Sequence, residues 1–162
     1  MQSLKSMAEA VGALLKERGE TVAVSESSSG GLVSAALLAI PGASAYFMGG
    51  GVIYTHKARE VLLEISFDDH PGVRSSSEPY AKLAAETVRA RLDTVWGVAE
   101  TGASGPTGNR YGDAAGHSCI AVVGPSEAVI TLETGKRDRE ANMWVFAEKT
   151  LEVFEAELRK FS

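Results

Sequence analysis

The 162-residue chain reads as an α/β protein, a three-layer α/β/α sandwich around a mixed sheet, built as one domain over residues 1–162. Three observations predict this. Short apolar runs alternate with stretches of helical periodicity through the first hundred residues, the pattern of parallel strands joined by helical crossovers. Two further apolar runs, 116–123 and 128–132, flank Gly124-Pro125-Ser126-Glu127 and read as an antiparallel hairpin. A long amphipathic stretch, 138–160, closes the chain. No repeat, low-complexity tract or linker interrupts the series.

Each element has a local reason. Leu4, Met7, Ala8, Val11, Leu14 and Leu15 recur at helical spacing, and Gly19 stops that helix. Thr21 to Val24 is a β-branched strand that ends in Ser25-Glu26-Ser27-Ser28-Ser29-Gly30-Gly31, and a helix runs from about Gly30 to Ala39, before Pro41. Pro41 to Ser44 is a loop. Gly49-Gly50-Gly51 then leads into a second strand at Val52-Ile53-Tyr54-Thr55, where the missing side chains suggest a close backbone approach. Lys57 to Ile65 reads as a short helix with Val61, Leu62 and Ile65 inward. Ser75-Ser76-Ser77 caps a longer helix, Glu78 to Leu92, with Pro79 in its first turn. Val95 to Ala99 is a third strand, followed by a polar, Gly-rich segment from Glu100 to Gly108. On the final helix Met143, Trp144, Ala147, Leu151 and Phe154 form one stripe, either core or a subunit contact.

Composition narrows the function. Sixteen basic against twenty-one acidic residues leave a net charge of −5, which argues against a general nucleic-acid or anionic-membrane binder. No apolar run approaches the ~20 residues of a membrane span. The first residues lack a signal-peptide core, and one cysteine, Cys119, excludes an internal disulfide, so the expected location is cytoplasmic. Cys119 lies in an apolar run and reads as an inert thiol. His70 and His117 have no partners at metal-ligand spacing, so neither a metal nor another cofactor is expected.

Ligands of open α/β sheets sit beyond the carboxyl ends of strands. Two such ends carry Ser/Thr/Gly loops, Ser25 to Gly31 and Thr101 to Gly108. Free backbone N–H groups at a helix start favour an anion, and glycines admit it closely. The two loops together predict one pocket for a phosphate-bearing small molecule. Glu26 reads as an acceptor for backbone N–H groups.

The residues carry a family resemblance. Glu26-Ser27-Ser28-Ser29-Gly30-Gly31 resembles the E-S-C-T-G-G signature of the CinA C-terminal domain family. Gly42 to Phe47 resembles its G-S-S-x-[WY]-F, Gly50 to Thr55 its G-x-V-x-Y-S, and Leu62 to Ile65 its L-L-G-V. Thr101 to Pro106 resembles T-G-x-A-G-P, and Gly135-Lys136-Arg137 resembles the late G-D-R. The resemblance spans nearly the whole chain and implies the stand-alone form. It also implies an amidohydrolase that converts nicotinamide mononucleotide to nicotinic acid mononucleotide and ammonia, and a homo-oligomer, for which the stripe on the last helix is a candidate surface. By register it places the serine nucleophile at Ser44, a tyrosine at Tyr54 and the base at Arg59. Ser27, Ser29, Gly30, Gly31, Thr101, Gly102 and Gly105 would hold the ligand, with Arg137 or Arg139 meeting its phosphate.

The base position departs from the family. A lysine can be neutral near pH 7 when burial depresses its pKa, whereas an arginine guanidinium does not deprotonate in proteins. Arg59 can orient a substrate or stabilise an oxyanion but cannot take a serine proton. Two neighbours are alternatives. Lys57 falls on the opposite helix face, and His56 shares a strand face with Tyr54 and is of a residue type that titrates near neutrality. The family's K-P-V is replaced by Asp113-Ala114-Ala115, which puts an anion near the pocket. A non-catalytic nucleotide-binding or interaction protein of the same fold is therefore the second reading.

Overall fold

The computed structural model describes residues 2–161. A five-stranded sheet runs in the order β2-β1-β3-β4-β5. The strands are β1 (Val22–Glu26), β2 (Phe47–Val52), β3 (Trp96–Ala103), β4 (His117–Val123) and β5 (Ala128–Glu133). β1 is parallel to β2 and β3, while β4 and β5 are antiparallel additions, so the sheet is mixed as the alternation and the hairpin predict.

Side chains alternating through the sheet build two apolar layers of different thickness. Val22, Val24, Trp96, Val98 and Val122 face one side and pack against α1 (Gln2–Arg18), α2 (Leu32–Leu38) and α5 (Arg139–Arg159). Ala23, Ala99, Cys119 and Ala121 face the other, against α4 (Glu78–Leu92) and its Ala81, Ala84, Ala85 and Val88. The second seam is nearly all small residues, so α4 lies close on the strands. At Gly97 even one methyl group would collide with the carbonyl of Ala85 and come within 2.8 Å of Arg89 Cβ. The α5 stripe belongs to the thick layer. Ala147, Leu151 and Phe154 are fully buried and Trp144 packs against them, so this part of the stripe is core, while Met143 and Trp144 stay partly exposed.

Three boundaries differ from the sequence expectation, each for a reason of pairing or phase. β2 covers 47–52, so the glycine run lies inside the strand and Tyr54-Thr55 beyond it. Parallel pairing with β1 sets this register, and a side chain at Gly50 would press on the Val24 carbonyl and Ser34 Oγ. The polar segment after Ala99 continues as strand to Ala103, because Glu100, Thr101 and Gly102 pair with Ile120, Cys119 and Ser118. After a first helical turn, α3 (His56–Ala58), Arg59–Leu63 winds as a wide π turn. Its longer period rotates the pattern: Leu63 and Ile65 are buried, whereas Val61 and Leu62 face solvent. No helix among the described residues is long and apolar enough to cross a membrane.

The thin seam gives a direct test. Gly97→Ala is expected to lower the free energy of unfolding by about 1–3 kcal/mol through overpacking, read by urea denaturation. An unchanged midpoint would show that α4 is free to lift off the sheet.

Candidate functional site

β1 ends in a buried glutamate, Glu26, and β3 carries a second, Glu100, one position past the end of its pairing with β1. Glu26 is 1 % exposed and Glu100 2 %. Glu26 accepts from Ser29 Oγ (2.7 Å) and from the N–H groups of Gly31 (3.1 Å), Val33 (3.0 Å) and Ser34 (2.8 Å). Glu100 accepts from the N–H groups of Ser27 (3.2 Å) and Ser29 (2.7 Å), from Ser118 Oγ (2.9 Å) and from Ser28 Oγ. The anion at the start of α2 is thus the protein's own carboxyl, which serves as the cap that Gly31 cannot supply.

This corrects the expected role of the first loop. The amides of Ser27, Ser29, Gly31, Val33 and Ser34 are engaged internally by Glu26 and Glu100. Ser29 is fully buried, Gly30 lies against Met143 and Gly31 against Val52. Only Ser27 lines the cleft beyond the strand ends, and its hydroxyl engages no described residue.

That cleft, of about 210 Å³, gathers Ser27, Tyr54, His56, Arg59, Thr101 and Gly102, together with Ser75, Ser76 and Tyr80. A second hollow of about 190 Å³ adjoins it, sharing Tyr54 and Gly102 and adding Ser28, Gly105 and Arg139. Arg139 donates to the Gly105 carbonyl (2.5 Å) and to the Tyr54 hydroxyl (3.0 Å). Of the two arginines expected to meet a phosphate, Arg139 is the one that lines this hollow. Arg137 is turned outward, with Nε on the Pro106 carbonyl (2.9 Å). Lys57 is exposed and absent from the cleft, whereas His56 lines it, with Nε2 3.0 Å from Arg110.

Ser44 is the largest correction. It is exposed in a 3-10 turn, Ala43–Ala45, just before β2. Because β2 is parallel to β1, its start lies at the amino end of the sheet, where the Val22 N–H bonds the Tyr46 carbonyl (2.8 Å). Tyr54 and Arg59 lie past the carboxyl end. Within one chain the three residues do not meet.

Arg59 is 4 % exposed. Its guanidinium stacks 3.5 Å from the Phe67 ring centroid, donates to Ser75 Oγ (3.3 Å) and lies near Tyr80. Its Nε is enclosed with no partner, and no described carboxylate pairs with it. Burial raises the Tyr80 phenol pKa against the opposing charge of Arg59. Nearby, burial would raise the Tyr111 phenol, but hydrogen bonds from Arg110 and Ser75 and the charges of Arg110 and Arg59 carry it below its ordinary value. The cleft is thus a positive spot on an acidic protein.

Behind it lies a network absent from the sequence expectation. Asp113 is bidentate to Arg74 (2.7 and 3.1 Å), so the expected anion beside the pocket is neutralised. Ser76 adopts a left-handed φ of 56°; its N–H donates to Thr101 Oγ1 (3.2 Å) and its carbonyl accepts from His117 Nε2 (2.7 Å). The other His117 nitrogen faces Glu133 (2.5 Å). Burial would lower the His117 pKa, but the bonds to Glu133 and Ser76 and the charges of Asp113 and Glu133 prevail and raise it. The serine run reads in sequence only as a helix cap; nothing local signals the strain at Ser76. Cys119 is buried, its thiol pushed up in pKa chiefly by that burial. Among the described residues no cluster of His, Cys, Asp or Glu forms a metal site.

A model of the CinA C-terminal domain matches residues 4–158. The chain belongs to that family. A CinA-like protein of Gloeobacter violaceus is 38% identical over 158 residues, covering 94% of this chain but 36% of its own length. One from Prochlorococcus marinus is 42% identical over 121 residues, 75% of this chain and 28% of that protein. The chain thus spans about a third or less of these relatives. Crystal structures share the fold: competence damage-inducible protein A from Klebsiella pneumoniae (TM-score 0.91, 21% identity, 98% of this chain and 99% of that one) and competence/damage inducible protein CihA from Agrobacterium tumefaciens (TM-score 0.88, 24% identity, 97% and 96%).

Two outcomes follow for the CinA domain. Glu26→Gln sets an amide N–H₂ against backbone donors and is expected to lower stability by about 1–3 kcal/mol in chemical denaturation. The His117 contribution is fully present below its ordinary value of 6.5 and is lost as pH rises through the higher folded value. Unfolding free energy should therefore fall with pH above 6.5, and His117→Gln should flatten that slope.

Proposed function

We propose that this CinA domain binds a phosphate-bearing pyridine nucleotide across the two adjoining hollows and does not hydrolyse its carboxamide in the family's manner. The observation that carries the reading is Arg59: a buried, permanently charged guanidinium occupies the place where the resemblance calls for a base able to lose its proton. The remote position of Ser44 supports the same reading, since the expected nucleophile and Tyr54 do not converge in one chain. The hollows together approach 400 Å³ (210 + 190), a suitable size for a mononucleotide, with Arg139 available to its phosphate.

A second reading, amidohydrolase activity on nicotinamide mononucleotide, draws on a different observation. Ser27, with an unengaged hydroxyl, and His56 line the same cleft. In that case Ser27 Oγ attacks the carboxamide carbon, His56 accepts the hydroxyl proton and returns it to the leaving ammonia, and water then cleaves the acyl ester to release nicotinic acid mononucleotide.

Ammonia release and thermal unfolding, measured side by side, separate the two. The binding reading expects stabilisation by pyridine mononucleotides, about 2.7 kcal/mol at 100-fold over Kd, with no ammonia from the wild type. Ammonia release that disappears in both Ser27→Ala and His56→Ala establishes the hydrolase instead.

A further inference from the structure

Arg59 presents an unbalanced charge. Its residue is 4 % exposed, Nε is enclosed without a partner, and no described carboxylate faces the guanidinium. The other cations around the site are engaged. Arg74 is neutralised by Asp113, Arg139 spans Tyr54 and the Gly105 carbonyl, and Arg110 bonds His56 and Tyr111 at the surface. What Arg59 does have is aromatic: Phe67 against one face, with Tyr80 nearby. Stacking and the bonds to the neutral hydroxyls of Ser75 and Tyr80 hold the fork in place but leave a buried cation without an opposite charge, an arrangement that is unfavourable unless something supplies one. A planar guanidinium fixed in this way is suited to a carboxylate, which accepts two parallel N–H bonds, and offers a neutral carboxamide only its single oxygen.

We infer that the Arg59 cleft is a carboxylate site, and that the ligand of this domain bears a carboxylate at one end and a phosphate at the other. The inference rests on the nucleotide-binding reading and specifies its ligand: the acid form of a pyridine mononucleotide in preference to the amide. Ser27 and Thr101 line the cleft beside Arg59 and offer hydroxyls to the carboxylate, while Arg139 in the neighbouring hollow, whose present partners are a neutral carbonyl and a neutral hydroxyl, meets the phosphate. The same feature that removes the base thereby sets the selectivity.

Titration calorimetry tests this with nicotinic acid mononucleotide, nicotinamide mononucleotide and ribose 5-phosphate as probes. The acid is expected to bind at least about tenfold tighter than the amide, and Arg59→Met to shrink that ratio to under about threefold while leaving ribose 5-phosphate unchanged. Equal affinities for acid and amide would overturn the carboxylate site but leave the nucleotide-binding reading standing. No binding of either nucleotide would overturn both. Loss of ribose 5-phosphate affinity in Arg59→Met would show that Arg59 holds phosphate, which also overturns the inference. Should Arg59→Met fail to fold, the wild-type ratio decides alone.

Discussion

Two buried carboxyls at neighbouring strand ends organise this molecule. β1 and β3 are paired up to Ser25 beside Ala99, which sets Glu26 and Glu100 side by side where these two strands part. Carboxyls removed from water require donors, and the chain between them provides these as backbone N–H groups and serine hydroxyls. The loop from Ser27 to Ser34 is fixed as a result, and α2 begins where Glu26 holds its first amides. The cleft is formed by what this arrangement leaves over: one serine hydroxyl, a threonine, and side chains brought in from the segment after β2 and the turn before α4.

The sequence was most informative where one physical signal dominated. Alternation of Val22, Ala23 and Val24, or helical spacing of Val11 and Leu15, has one low-energy answer, and the layers came out as read. The glycine run and the segment after Ala99 were harder, because strand pairing extends β2 back to Phe47 and β3 on to Ala103, and only the partner strands know this. The site was partly legible. Tyr54, Arg59, Thr101 and Gly102 meet in one cleft, as the resemblance implies. Ser29 and Gly31 looked like ligand donors because sequence cannot show that Glu26 already occupies their neighbourhood. Ser44 looked close in the chain to Tyr54, yet a parallel strand lies between them. The coupling of His117 to Ser76 spans 41 residues and leaves no local trace.

Charge is distributed on two scales. The chain is acidic overall, while the cleft holds an arginine with no described counter-ion and is bordered by Arg74, which Asp113 neutralises, and by Arg110 and Arg139, which bond neutral groups. Such a contrast directs small anions inward and gives long polyanions no continuous surface. Around Arg59 the supports are chosen for holding rather than neutralising: aromatic rings, a hydroxyl, and a serine turn braced from behind by Thr101 and His117.

The alanine and glycine seam beneath α4 bears on recognition as well as stability. The serines that border the cleft sit immediately before α4, and Ser77 caps it. The thickness of the seam therefore acts as a ruler for the cleft: a methyl group added at position 97 or 99 would raise the helix and carry Ser75 and Ser76 with it. The geometry of the cleft is thus set from the interior, by spacers that do not line it.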